Sequence, residues 1–266
     1  MDKIRQSLWL TASLAAFAYF CFSFLKTDIQ YTLDANALAT SIDTVITELT
    51  VYQFDETGKL THHLYTPELQ HTPKNDTHNL KSPHVKLIQP NQASWQIDAN
   101  HAQAIHGGTE MTFHGNVLVH QDEKGNTLNT EELTYYRNEK LATSKTKVLF
   151  KQPGSTVQSK GMRAYLDKKY IQLYGDSTLP AENPERLAHY WTQPAVDKPV
   201  MHAWAEIIHY YAKRHRIELI GHARVEQGDN SLVAPTIFYD TLKQHVIAKN
   251  KGKIRTVIIF HPEKQT

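Results

Sequence analysis

Gly161–Gly175 reads GMRAYLDKKYIQLYG, and Ile207–Gly221 reads IIHYYAKRHRIELIG. Both run an alternating segment, a charged turn, a second alternating segment and a glycine. Ile171 and Leu173 fall on Ile217 and Leu219, and Gly175 falls on Gly221. Apolar and polar side chains that alternate put one face of a strand in a core and the other in water. A second pair carries the same glycine: HGNVLV at His114–Val119 and IGHARV at Ile220–Val225. Downstream of it, Leu128, Leu133 and Tyr135 match Leu232, Ile237 and Tyr239. The repeating unit is two strands, a glycine where the chain bends, and a third strand. Such units stack and bury one another's apolar face.

The same period of two extends outward from these copies. Ala93, Trp95, Ile97 and Ala99 share a face, as do Met111, Phe113, Val117 and Val119, interrupted by Gly115. Val148 and Phe150, then Met162, Ala164 and Leu166, continue the pattern. Turn signals separate the runs, among them Asp55-Glu56-Thr57-Gly58, Lys74-Asn75-Asp76, Gly107-Gly108, Pro153-Gly154 and Gly228-Asp229-Asn230. Each supplies a residue tolerant of positive φ or a proline that stops pairing. No stretch beyond residue 26 holds a 3.6-residue period over three turns. The body is therefore expected to be all-β, with about a dozen or more strands. Asp176–Arg186 (DSTLPAENPER) holds Pro180 and Pro184, and proline cannot donate to a central ladder. A boundary is expected near residue 182, giving segments 1–26, 27–182 and 183–266.

The first of these segments introduces a different solvent. Ser7–Leu25 (SLWLTASLAAFAYFCFSFL) carries no charge. As a helix it spans about 28 Å, close to the ~30 Å hydrocarbon core of a bilayer. Lys3 and Arg5 precede it and place the N-terminus in the cytoplasm. The alternative is a cleaved signal peptide, but Phe20, Phe22, Phe24 and Leu25 make a bulky end for one. The reading is a single transmembrane anchor with the bulk of the chain beyond the membrane.

Charge and composition exclude several classes. Lys+Arg number 29 and Asp+Glu 27, a net charge of +2 that resides in the first 26 residues. The neutral body lacks the basic footprint of a nucleic-acid binder. Cys21 is the single cysteine, so neither an internal disulfide nor a multi-cysteine zinc site is possible. There are 16 histidines, but His62-His63 points to opposite faces of a strand, and no H-E-x-x-H occurs. No metal or cofactor site is expected. No nucleophile-elbow or P-loop motif occurs either, and the scattered carboxylates give an enzyme no support.

Several segments resemble a known family. VYQFDETGKLTHHLYTPEL (Val51–Leu69), SPHVKL (Ser82–Leu87), SWQIDANHA (Ser94–Ala102), HGNV (His114–Val117), LNTEEL (Leu128–Leu133) and KGMRAYL (Lys160–Leu166) are similar to the LptC family, over roughly residues 1–180. Farther on, IELIGHARVEQGDNSLVAP (Ile217–Pro235), YDT (Tyr239–Thr241) and TVIIFHPEK (Thr256–Lys264) resemble the C-terminal half of the LptA family. The chain reads as the first joined to part of the second, a departure from both patterns. The resemblance implies an OstA/LptA-like β-jellyroll in the periplasm, extended by further strands, on a single-pass inner-membrane anchor. It implies a non-enzymatic role in lipopolysaccharide transport. Lipid released by the ATP-driven LptBFG extractor would be handed to LptA, or to the N-terminal domain of LptD, through the C-terminal edge strand.

A physical argument accompanies that expectation. Moving acyl chains through water exposes apolar surface at about 25 cal/mol per Å². A bent sheet with an apolar inner face covers the chains while the headgroup stays wet. The groove candidates are Leu49, Val51, Leu80, Trp95, Ile97, Met111, Phe113, Val117, Ile171 and Leu173, with Leu80 and Ile171 singled out beside strand ends. The same alternation describes a closed core, so a scaffold that binds no lipid stands as the alternative. The terminal strand Ile254–Phe260 (IRTVIIF) is either a docking edge or the last strand of the body.

Overall fold

Most of the alternating runs are extended and paired, though Leu166 falls in the turn after its run and Ala93 and Ala99 outside the strand between them, and the turn chemistry between runs reverses the chain. The Asp55 carboxylate, for example, accepts from the amides of Thr57 and Lys59 at 2.8 and 3.0 Å and closes the first hairpin. The structure, a computed structural model, describes residues 41–88, 93–121, 125–193, 198–243, 245–250 and 255–259. The expected anchor at Ser7–Leu25 lies outside the described residues. Of the expected terminal strand, Val257–Ile259 is described. Among the described residues there are twenty strands and three short 3-10 turns, and no helix is long and apolar enough to cross a membrane. The chain divides into two compact units, the first ending at Ala142 and the second beginning at Thr143, a division that falls within β9 (Leu141–Ser144).

The first unit is an antiparallel meander of long and broken strands. β1 (Thr44–Phe54) pairs with β2 (Leu60–Thr72). Beyond Thr66-Pro67, β2 pairs with β3 (Thr77–Lys81); before it, β2 pairs with β4 (His84–Leu87). β3 and β4 are one strand interrupted at Ser82-Pro83. They pair in turn with β6 (His101–Ile105) and β5 (Trp95–Asp98), another strand interrupted at Ala99-Asn100. β7 (Glu110–Gln121) runs the full length against both and pairs with β8 (Asn126–Tyr136).

The interruptions line up. The Ser82 amide donates to the Asn100 carbonyl at 2.6 Å, and the Asn100 amide to the Gly115 carbonyl at 2.9 Å. On β7 the strand is not broken but bulged between His114 and Val117. The bulge uses the left-handed region at Gly115 (φ 72°) and Asn116 (φ 49°). A corner thus crosses the sheet at one rank, and the sheet folds over along it.

The second unit repeats this plan. β10 (Val148–Gln152) and β11 (Ser155–Ser159) form a hairpin, and β11 and β12 (Gly161–Tyr165) are one strand broken at Lys160. They pair with β14 (Ala188–Thr192) and β13 (Tyr170–Tyr174), which pair with β15 (Met201–Ala205) and β16 (Ile207–Tyr211). β17 (Arg216–Gln227) spans both and pairs with β18 (Asn230–Asp240). β18 carries β19 (His245–Lys249) and β20 (Val257–Ile259) on its far side. The corner bonds recur: the Gly175 amide to the Glu206 carbonyl at 2.9 Å, and the Glu206 amide to the Gly221 carbonyl at 3.0 Å. The bulge on β17 lies between Ile220 and Ala223, with Gly221 at φ 77° and His222 at 46°.

The proline-rich segment near residue 182 is an excursion from this corner. It leaves β13 at Gly175 and returns to β14 after Leu187, inside the second unit. The Asp176 amide reaches the Glu185 carbonyl at 3.4 Å, Asn183 caps the 3-10 turn at Pro184–Arg186, and the Arg186 guanidinium donates to the Leu179 carbonyl at 2.6 Å. Pro180 and Pro184 both lie within the excursion and outside any strand, and the chain then pairs again on either side of it, β11 with β14 and β13 with β16.

The corner sets a test. A Cβ on Gly115 would stand 2.7 Å from the Asn100 side-chain nitrogen, whereas one on Gly58 (φ 78°) would meet nothing within 4 Å. Gly58→Ala is expected to cost about 1–2 kcal/mol, the left-handed penalty alone. Gly115→Ala is expected to cost about 1 kcal/mol more, from the added overlap. Urea unfolding of the full chain in detergent, followed by tryptophan fluorescence, gives both differences.

Candidate functional site: an apolar groove at the sheet corner

Ladder register turns the alternation along each strand into rows across the sheet. Before the corner, Val51 on β1 faces Leu64 on β2, Leu64 faces Val85 on β4, Val85 faces Ile97 on β5, and Ile97 faces Val119 on β7. Beyond it, Leu69 on β2 faces Leu80 on β3, Leu80 faces Ala102 on β6, Ala102 faces Phe113 on β7, and Phe113 faces Leu133 on β8. At ~4.8 Å between strands, each row runs about 19 Å at right angles to the chain.

The fold brings the two rows together around one cavity. Val51, Leu64 and Val85 line it from the first row, and Leu80, Ala102 and Phe113 from the second. Its volume is about 80 Å³, smaller than the ~300–1,000 Å³ of ordinary ligand cavities. Gln53, His62 and His63 contribute the polar groups of the lining. Burial pushes the His62 imidazole down to about 4, so it is neutral at neutral pH and places no charge beside the apolar rows.

The residues expected at the groove distribute unevenly. Val51, Leu80, Met111 and Phe113 line the cavity. Ile97 belongs to the first row, while Trp95 sits one rank farther out, opposite Leu87 and Gln121. Leu49 pairs with Thr66 near the corner, and Val117, just past the bulge, is fully buried. Ile171 and Leu173 lie on β13 in the second unit, so Ile171 does not share the cavity with Leu80. Leu64, Pro83, Val85, Leu87, Ala102 and His62 line the cavity without having been expected there. Val85 and Leu87 were visible as an alternating pair in HVKL. Leu64 is hidden because its same-face neighbours are His62 and Thr66.

The second unit carries the same pair of rows. Tyr190, Ala203, Val225 and Leu232 face one another in succession and end on Ile258 of β20. Leu173, Ile208, Leu219 and Ile237 do likewise and end on Ala248 of β19. One rank beyond the Leu69–Leu80 row, the ligand atoms of His71, Asp76 and His78 lie within 4.8 Å of one another, a grouping that no motif spacing announced.

An antiparallel sheet bent along a glycine-marked corner, with apolar rows facing across it, defines a class of β-structured protein with a lateral apolar interior. The family model described as lipopolysaccharide-assembly, LptC-related, matches residues 10–179, well over half of the chain, and the chain belongs to that family. It is an envelope protein with a periplasmic domain and a role in lipopolysaccharide transport. Among solved structures, it is similar to LptH from Pseudomonas aeruginosa, described as the LptA-homologous periplasmic component of the lipopolysaccharide transport device. The identity is 22% and the TM-score 0.46, over 53% of this chain and 97% of that one. No curated protein sequence matches the chain.

His62 and His189 give the protein a defined acid response. Both are held near 4 by burial, against an ordinary 6.5. The unfolded chain therefore binds more protons between these values, and stability is lost as pH falls from about 6.5 toward 4. The unfolding midpoint should drop over that window, and His62→Leu should flatten the drop. Urea titrations at pH 7.0, 5.5 and 4.5 check the sign.

Proposed function

We propose that the protein is a membrane-anchored lipopolysaccharide carrier that receives lipid from the LptBFG extractor and passes it to LptA or the N-terminal domain of LptD. The observation that carries this reading is the pair of apolar rows facing each other across the corner of the first unit, with a cavity between them. Acyl chains lying along the rows replace contacts the two walls make with each other, so the cavity widens as lipid enters. Ala102 at the centre of the second row leaves that room. No bond is made or broken, so direction comes from the ATP cycle of the extractor. The outgoing edge is β20, whose Val257, Ile258 and Ile259 are 54, 69 and 51% exposed, an arrangement suited to strand addition.

The full chain, reconstituted with LptBFG and lipopolysaccharide in proteoliposomes, tests this with a photo-reactive residue at Phe113 or Leu80. An ATP-dependent lipid adduct from these positions is the expected result. A folded, complex-forming protein that gives no adduct from either position would instead be a scaffold with a closed core.

The edge makes a separate expectation. Ile258→Pro should leave loading at Phe113 intact and reduce transfer to a bridge protein by at least ~10-fold, since proline removes a ladder donor. Quantifying adducts on both proteins in one reaction separates the two steps.

A further inference from the structure

At the end of the first unit, one rank beyond the Leu69–Leu80 row, three side chains meet around one imidazole. His71 closes β2 and His78 lies directly across the β2–β3 ladder from it, with ring centroids 4.7 Å apart. Both are buried, at 9 and 3% exposed. Asp76 sits in the turn between them. Asp43 precedes β1, and its amide donates to the His71 carbonyl at 3.1 Å.

The imidazole of His71 has a carboxylate on each side. Its Nδ1 is 2.7 Å from Asp43 Oδ1 and its Nε2 is 3.1 Å from Asp76 Oδ1. A neutral imidazole carries one N–H and can donate to one of these oxygens only. With the proton on Nδ1, Nε2 aims a lone pair at a carboxylate oxygen. Such a contact calls for a cation, either a second proton on the ring or a metal ion between the two atoms.

The surroundings favour the metal. Asp43 on Nδ1 is the carboxylate–histidine arrangement that fixes the tautomer of a ligating histidine and raises its basicity. His78 Nδ1 faces the same Asp76 Oδ1 from 4.0 Å, beyond hydrogen-bond reach. His78 is buried against the His71 ring, so a second imidazole is on hand as a ligand. Asp76 is itself held in place. Its Oδ2 accepts from the Gly107 amide at 3.0 Å, which leaves Oδ1 directed at the two rings. The Asn75 carbonyl accepts from the His106 amide at 3.0 Å, and Asn75 and Asp76 both adopt left-handed backbone, at φ 57° and 49°. Successive left-handed non-glycine residues persist where the surroundings over-determine them.

We propose that His71 Nε2, His78 Nδ1 and Asp76 Oδ1 bind a divalent transition-metal ion of the Zn²⁺ type, with Asp43 as the outer carboxylate. Zn²⁺ takes nitrogen and carboxylate oxygen at about 2.0–2.2 Å, so neighbouring ligand atoms around it stand about 3.3 Å apart. The His71–Asp76 pair is already at 3.1 Å, and a small rotation of His78 brings the third atom in. Two nitrogens and one oxygen suit Zn²⁺ far better than Mg²⁺ or Ca²⁺, which require oxygen shells. A water completes the tetrahedron. The ion would pin the start of β1, the end of β2, the start of β3 and the turn before β7 at one point. It is independent of whether the groove carries lipid.

The test uses the tag-free full chain in detergent, stripped with a chelator and titrated calorimetrically with ZnCl₂. Wild type and His84→Gln, which alters a half-exposed histidine on β4, should each bind one tight equivalent. His78→Gln and Asp76→Asn should weaken that event at least ~100-fold. ZnCl₂ should also raise the unfolding temperature of wild type but not of His78→Gln, by the mass-action stabilisation of a folded-state ligand. Equal binding by all four proteins would overturn the proposal, because the zinc would then sit on other histidines. So would no binding, with ¹⁵N spectra showing both His71 ring nitrogens protonated, since a proton would then be the cation. If Asp76→Asn fails to fold, His78→Gln and the unfolding shift decide alone.

Discussion

A sheet one layer thick can bury an apolar face only by folding over on itself, and it can fold only where every strand gives way at the same rank. That constraint organises both units. Three local solutions satisfy it. A strand breaks, as at Ser82-Pro83, Ala99-Asn100, Lys160 and Glu206; it stays continuous and bulges, as at Gly115-Asn116 and Gly221-His222; or, like β1 and β2, it runs on unbroken with one ladder pair missing, at Glu48 (φ 53°) and Pro67. The backbone groups that lose their regular partners at a break bond across the corner instead, Ser82 to Asn100 to Gly115 in one unit and Gly175 to Glu206 to Gly221 in the other. Leaving them unpaired within a folded sheet would cost about 1–3 kcal/mol each. The bulge rather than the break falls on the long strands β7 and β17, which hold the two halves of each unit in one chain.

The walls that result are unlike an ordinary core in one respect. Side chains are ordered by the ladder into rows across the strands. Alanines stand in the middle of these rows: Ala102 in the first unit and Ala203 in the second, with Ala104 and Ala205 buried two residues farther along their strands. Larger residues there would close the corner by interlocking the walls, as in a jigsaw-packed core. With alanine, the space between the walls, which Leu80 and Phe113 also line, stays small but apolar.

The strands, their turns and the bending glycines were legible because period two and positive-φ chemistry are local properties. The match of HGNVLV with IGHARV is the same bulge occurring twice, between His114 and Val117 and between Ile220 and Ala223. Which alternating residues share a cavity was not legible, since that depends on register between strands far apart in sequence. Ile171 and Leu80 looked equivalent and sit in different units; Ala102 lines the cavity although it was not among the expected groove residues. Pro180 and Pro184 were read as marking a boundary near residue 182, but whether a chain that leaves the sheet there returns to it depends on partners outside the segment. His71 and His78 escaped notice because a hairpin places residues seven apart opposite each other, a spacing no helical or finger motif contains.

The rows also bear on what an edge strand does. Ladder pairing fixes side-chain facing with a period of two, so a strand that pairs in register must continue whatever rows it meets. At the far side of the second unit the rows end on Ile258 and Ala248, which belong to two short strands lying on the two halves of β18. A further strand added beside β20 would set one residue opposite Ile258 and carry that row about 4.8 Å onward. On the proposed function, the backbone hydrogen bonds that would dock a partner and the apolar track that a lipid would follow are therefore one geometric object. A partner joined through side chains alone could bind as tightly and still leave a gap in the track, whereas a partner joined by ladder pairing cannot. The exposure of Val257, Ile258 and Ile259, a liability on any closed β-protein, is on this reading the condition for continuity.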